Sequence, residues 1–185
     1  MDTYSSLYAA LCSEEHLYEA WKIVKSKGAS GGIDGITLSC FEDNLAKHIA
    51  ELSDELKAGV WAPEPYLSIE IPKKKNEVRK LGLLSVKDKI VQCAIKALIE
   101  PLFENLFVDN SYGYRPNKGH TKAMRRVQSE CMKKKNRWAL RLDIDNYFDT
   151  INHHLLSARL HAFIPDEEIV RLVMLSVQMG VINMC

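Results

Sequence analysis

One string in this 185-residue chain gathers residues that can do chemistry: Asp143-Ile-Asp-Asn-Tyr-Phe-Asp149. Its three carboxylates follow Trp138-Ala-Leu-Arg-Leu-Asp-Ile144, whose apolar alternation predicts a strand. In a strand, side chains two apart share a face, which puts Asp143 and Asp145 on one side. Carboxylates are natural ligands for Mg²⁺, a hard ion held by one or two of them together with substrate phosphates. An aspartate at a strand end that holds Mg²⁺ suits phosphoryl or nucleotidyl transfer. The same residues also serve as caps and turns after strands, so the string by itself leaves metal binding open.

Two further groups carry charge and aromatic surface. Lys73, Lys74 and Lys75 form a polar tip between two apolar runs, and Arg79 and Lys80 lie on the return. Lysine offers a point charge and arginine a fork for phosphate oxygens, so a hairpin built this way can close over a triphosphate. Lysines also blunt an exposed edge against aggregation, and the two uses are not separable here. Ser111-Tyr-Gly-Tyr-Arg-Pro116 sets two aromatics around a glycine and then an arginine. That order suits stacking on a base or sugar beside a phosphate contact, and equally a packed surface loop.

The elements that must position these groups are legible from periodicity and punctuation. Residues 4–27 read as helix with a restart at Ser13, where Ser-Glu-Glu offers a cap and acids for the first turn. Gly28–Gly35, with four glycines, is a loop, and residues 39–57 read as a second amphipathic helix. Residues 66–83 read as a β-hairpin and 85–107 as a long helix capped by Ser85, with Asp88 at the third position and a kink or division at Pro101. Residues 120–135 read as a basic helix. Asn152 caps a helix over 153–162, and a last helix runs from about Asp166 to Met179. Gly180–Cys185 looks like the start of a strand with no partner in view. The fold class is α/β (α+β), with more helix than strand.

Composition narrows the function classes. At 46% hydrophobic and 26% charged, the chain excludes disorder, collagen-like repeats and coiled coil. No apolar run reaches the ~20 residues of a membrane span, and the N-terminus lacks a basic signal region, so a cytoplasmic protein is expected. Five scattered cysteines without a Cys-x-x-Cys pair make a disulfide framework or a zinc site unexpected. The net charge of +1 conceals a strong asymmetry. Residues 1–70 carry 5 basic and 12 acidic side chains, residues 71–141 carry 18 and 6, and residues 142–185 carry 2 and 6. A central block of net +12 between acidic flanks is a field that attracts a polyanion.

Five ordered blocks, taken together, resemble the N-terminal part of a group II intron-encoded (maturase) reverse transcriptase, from about Gly28 to Leu156. Gly31-Gly-Ile-Asp-Gly35 resembles the leading block. Ile71-Pro-Lys-Lys with Arg79-Lys-Leu-Gly resembles the fingers hairpin, and Val86–Ala94 with Ile99-Glu-Pro-Leu-Phe103 the helix that follows. Ser111–Pro116 resembles the string before the palm, and Leu142–His153 the first palm motif. The resemblance implies templated nucleotidyl transfer with two metal ions, Mg²⁺ or alternatively Mn²⁺, on an RNA template with a DNA primer and deoxynucleoside triphosphates. Intron RNA is a further implied partner. Asp143 matches the first catalytic aspartate, with the carbonyl of Ile144 as a second metal ligand. Phe148 matches the aromatic that excludes a 2′-hydroxyl, and Lys73 and Arg79 match the grip on the triphosphate. Lys74, Lys75 and Arg115 are expected on nucleic acid. Residues 1–136 are expected as N-terminal extension and fingers, and 137–185 as the start of the palm.

The chain departs from this family in one large respect. The second catalytic element carries two adjacent aspartates, and no Asp-Asp pair occurs in the sequence. A fragment that grips substrate without a complete catalytic centre is therefore expected. The competing readings are a non-catalytic, maturase-like RNA-binding module and a related reverse transcriptase of phage defence or CRISPR adaptation.

Overall fold

The computed structural model describes residues 6–28, 31–72, 78–133 and 136–183. The expected restart at Ser13 is present. Helix α1 spans Leu7–Leu11 and α2 spans Glu14–Ser26, with Ser13 Oγ accepting the backbone N–H of His16 and Glu14 and Glu15 in the first turn. Gly28, at φ 62°, ends α2 in the left-handed region that glycine enters without a Cβ clash. The single helix expected over 39–57 is two: α3, Leu38–Asp43, and α4, Leu45–Lys57. Asn44 between them leaves the helical region, at φ −129° and ψ 37°, and breaks the run.

Pro63 and Pro65 hold the chain out of helix and lead it into β1, Tyr66–Pro72. Strand β2, Val78–Leu83, returns antiparallel, pairing Leu67 with Leu83 and Ile71 with Arg79. The hairpin is thus where the alternation put it, while its tip, with Lys73, Lys74 and Lys75, lies outside the described residues. The expectation that the last segment lacks a partner is corrected. Strand β3, Val181–Asn183, lies parallel on the free edge of β1, with Tyr66 opposite Val181, giving the order β2-β1-β3.

Helix α5 runs Val86–Glu104 without dividing at Pro101. Ser85 Oγ accepts the N–H of Asp88, as the capping pattern predicts, yet the Asp88 carboxylate is buried and accepts the N–H of Glu64. Burial pushes this carboxyl above its ordinary value, against the hydrogen bonds from Ser85 and Glu64. Helices α6, His120–Cys131, α7, His153–Phe163, and α8, Glu167–Val177, complete the helical set. Asn152 Oδ1 caps α7 through the N–H of Leu155. Asp166 caps α8 and also accepts Ser6 Oγ at 2.6 Å and the N–H of Tyr8 at 2.8 Å, fastening the two ends of the chain. Burial alone would raise the Asp166 carboxyl, but the hydrogen bonds from Ser6, Tyr8 and the N–H groups of Ile169 and Glu168 hold it below its ordinary value.

One core joins these elements. Leu11, Trp21, Leu52, Val91, Ile169 and Leu172 are all buried within it, so it draws on residues from both sides of position 136. Among the described residues, those of 104–155 contribute nothing to that cluster, and α6 buries none. This outlying stretch carries Trp138–Ile144, and there the expected strand is corrected: the segment has no ladder partner and no regular structure. Trp138, Leu140, Leu142 and Ile144 are 70–96% exposed. A strand is defined by pairing, and no strand among the described residues pairs with this one, although Trp138 and Ala139 line a hollow with α6.

Candidate nucleotide and nucleic-acid site

Asp143 is exposed and makes no ion pair among the described residues. Beyond it the chain turns sharply, because Asn146 adopts φ 46°, a left-handed conformation that asparagine enters more readily than most residues. Thr150 Oγ1 donates to the carbonyls of Asn146 and Tyr147, which closes the turn. The 3₁₀ turn Phe148–Thr150 then presents Phe148, 81% exposed, with the Tyr147 ring edge-on at 5.3 Å. Asp143 and Phe148 therefore stand on one exposed arm that enters α7. Among the described residues no three metal-binding side chains gather. What the arm offers is the exposed carboxylates of Asp143 and Asp145, without ion pairs among the described residues, and the carbonyl of Ile144. That set suits a hard cation whose remaining ligands are phosphates and water.

Arg79 and Lys80 are exposed on β2, where the hairpin carries them away from the core. No hydrogen bond, ion pair or shared hollow joins them to Asp143 among the described residues. Arg115, expected on nucleic acid, is engaged within the protein. Its side chain is only 7% exposed and pairs with Glu104 at 3.0 Å. The same guanidinium donates to the carbonyls of Val108 and Ser111 and lies over the Phe107 ring. With its fork engaged on the protein, Arg115 fastens the 105–116 loop to the end of α5. The residue left free for stacking is Tyr114, 99% exposed at φ 55°. A left-handed tyrosine is uncommon, and its fully solvated ring has no packing to explain it. Tyr112 is half-buried beneath the ammonium of Lys118.

The glycine block has a structural part that spacing does not disclose. A Cβ on Gly32 would lie 2.4 Å from the Ser85 nitrogen, so the Gly31–Gly35 loop presses backbone to backbone on the junction of β2 and α5. Also unread from the sequence is a set of lysines around the N-terminal half of α5, although Lys89, Gln92 and Lys96 fall on one helical face at spacings of three and four.

A family model described as reverse transcriptase (RNA-dependent DNA polymerase) matches residues 71–183, most of the chain. The chain belongs to this reverse transcriptase family. It is 34% identical over 182 residues to protein YkfC of Escherichia coli (strain K12), covering 96% of this chain and 48% of that one. It is 30% identical over 175 residues to the group II intron-encoded protein LtrA of Lactococcus lactis, covering 93% of this chain and 28% of LtrA. Against the putative COX1/OXI3 intron 1 protein of Saccharomyces cerevisiae it is 27% identical over 179 residues, covering 97% and 21%. The chain thus spans about half the length of YkfC and a smaller share of the two intron proteins. The resemblance to group II intron-encoded reverse transcriptases read from the motifs is borne out. Asp143, Phe148 and Arg79 all lie within the matched span. Among the described residues no helix is long and apolar enough to cross a membrane.

Proposed function

We propose that the whole protein is an RNA-directed DNA polymerase of group II intron type. It would extend a DNA primer on an RNA template with deoxynucleoside triphosphates, with intron RNA as a further partner. The observation that carries this reading is an unpaired, exposed Asp143 five residues ahead of an exposed Phe148, inside the span matched by the family. In this reading residues 1–136 are N-terminal extension and fingers, and 137–185 begin the palm.

The roles follow from chemistry. The Asp143 carboxylate and the Ile144 carbonyl would hold Mg²⁺, with Mn²⁺ as the alternative. When bound, such an ion stabilises the charge that develops on the transferring phosphoryl oxygens. Arg79, with Lys73, would neutralise and orient the triphosphate. The flat face of Phe148 would lie under the sugar and clash with a 2′-hydroxyl, which selects deoxynucleotides. Lys74 and Lys75 would contact the nucleic-acid backbone, while Arg115 would act by holding the loop that presents Tyr114.

Primer extension on an RNA template by the full protein tests this, with incorporation expected and its loss expected in Asp143→Ala. The 185-residue chain has no Asp-Asp pair, so it is expected to bind RNA without extending a primer. Steady incorporation by that chain, abolished by Asp143→Ala, would show that other carboxylates complete the site. The central block of net +12 favours a second reading, an RNA-binding module without catalysis. That reading predicts RNA binding by the full protein with no extension under any metal.

A further inference from the structure

Tyr114 lies in the loop between Ser111 and Gly119 with 99% of its surface in solvent and its backbone at φ 55°. We propose that its ring is a stacking platform for an unpaired base of the RNA strand. The proposal rests on the polymerase reading and adds to it a base contact on a loop separate in sequence from the arm that bears Asp143.

The conformation brings the fold no packing in return. A left-handed backbone is unfavourable for a tyrosine and persists only where the surroundings enforce it. Here they do. Arg115, the next residue, is only 7% exposed and engages its guanidinium on Glu104 and on the carbonyls of Val108 and Ser111. Lys118 donates to the carbonyl of Asp109 with its ammonium over the Tyr112 ring. Lys122 donates to the carbonyl of Asn117, itself left-handed at φ 55°. The loop is thus fastened on both sides of Tyr114, and Tyr112 is half-buried in it, while the Tyr114 ring is held out. A Cβ on the preceding Gly113 would meet no atom within 4 Å, so the space next to Tyr114 along the chain is open.

Charge selects the occupant. Residues 110–139 carry nine basic side chains and one acidic one. That acid, Glu130, already pairs with both Arg126 and Lys133. Lys122, Arg125 and Arg137 are exposed and make no ion pair among the described residues. An exposed aromatic in a field of this sign fits a strand that brings phosphates and bare base faces together. Bases within a duplex are stacked on one another, so the ring takes unpaired nucleotides, and it takes them without regard to sequence because every base has a π-face. With Arg115 withdrawn from solvent, Lys122 and Arg125 at the start of α6 are the cations that follow Tyr114 in the chain and remain available to phosphate.

The test measures binding of a fluorescent single-stranded RNA to the 185-residue chain across a salt series. Tyr114→Ala should bind at least about fivefold more weakly, the lower end for one base on an aromatic ring. Its log K against log[salt] slope should be unchanged, because stacking releases no counterions. Tyr114→Phe and Tyr114→Trp keep a ring and should bind within about twofold of wild type. Tyr114→Asn suits a left-handed backbone and lacks the ring, so it should melt at or above the wild-type temperature and yet bind as weakly as the alanine variant. An asparagine variant that melts lower would show that the ring packs on the protein, against the proposal. Wild-type affinity in Tyr114→Ala would overturn the contact, and a loss in Arg79→Gln/Lys80→Gln, run in parallel, would show that the RNA reading stands without it. If the unmodified chain binds no RNA, both fall. Duplex RNA of the same length is the last arm: Tyr114→Ala should leave its affinity unchanged, and an equal loss on duplex would sink the assignment to an unpaired base.

Discussion

Asp88 shows at the scale of one residue why a motif and its meaning separate. The Ser-x-x-Asp spacing signals a helix start, and the start is there, with Ser85 receiving the Asp88 N–H. The carboxylate does not complete a reciprocal box; it is buried and receives the N–H of Glu64 from the loop before β1. Its folded pKa is raised, so the folded state holds that proton more tightly than the unfolded chain does. Stability from this group is therefore full below the unfolded value near ~3.9 and falls as pH rises through the folded value. Asp88→Asn keeps an acceptor for Glu64 and removes the buried charge. It should melt at or above the wild-type temperature at neutral pH, and the two curves should converge in acid. Asp88→Leu strands the Glu64 N–H and should cost about 1–3 kcal/mol. A neutral-pH melt in which Asn is as damaging as Leu would show that the charge itself is needed. Asp143 is the contrasting case: it is exposed and has no ion pair among the described residues, so the role proposed for it rests on its neighbours in sequence.

Among the elements, those that carry their own local signals were legible and those defined by a distant partner were not. The hairpin, α5 and the caps at Ser13, Asn152 and Asp166 follow from alternation, periodicity and side-chain oxygens beside free N–H groups. Strand β3 needed its position beside β1, and the Trp138–Ile144 strand needed a neighbour that the described residues do not supply. The loop 105–116 holds an arginine whose partner the motif does not disclose. Its arginine reads as a phosphate contact, yet α5 ends at Glu104, within reach of the guanidinium. Arg115→Ala should therefore act as a lost clasp, destabilising the fold by about 1–3 kcal/mol because Glu104 and two carbonyls lose their donor. Any fall in RNA affinity should leave the slope against salt unchanged. A slope shallower by ~0.7 with unaltered melting would instead mark Arg115 as a direct phosphate contact.

Over the whole molecule, core and chemistry occupy different parts of the chain. Helices α1, α2, α3, α4, α5, α7 and α8 share one core, whereas the described residues of 104–155, among them Asp143, Phe148 and Tyr114, stay outside it. The charge map led to the expectation of a polyanion-facing middle but gave no sign of this separation, because net charge says nothing about which segments find packing partners. Local stability follows buried contacts, so opening should be easy in 136–148 and hard in α2 and α5. Arg137 and Arg141 lie exposed in that stretch, which makes them ready sites for trypsin. A nick there should not release the C-terminal piece. Leu160, Ile164, Ile169, Val170 and Leu172 are buried against the N-terminal helices, and Asp166 is bonded to Ser6 and Tyr8. Limited trypsinolysis should give two fragments that co-elute on gel filtration under native conditions and separate only in denaturant. Full separation without denaturant would mean that α7 and α8 do not belong to the common core. Resistance of the 136–148 amides to hydrogen exchange, at the level of α5, would mean that the arm bearing Asp143 is packed.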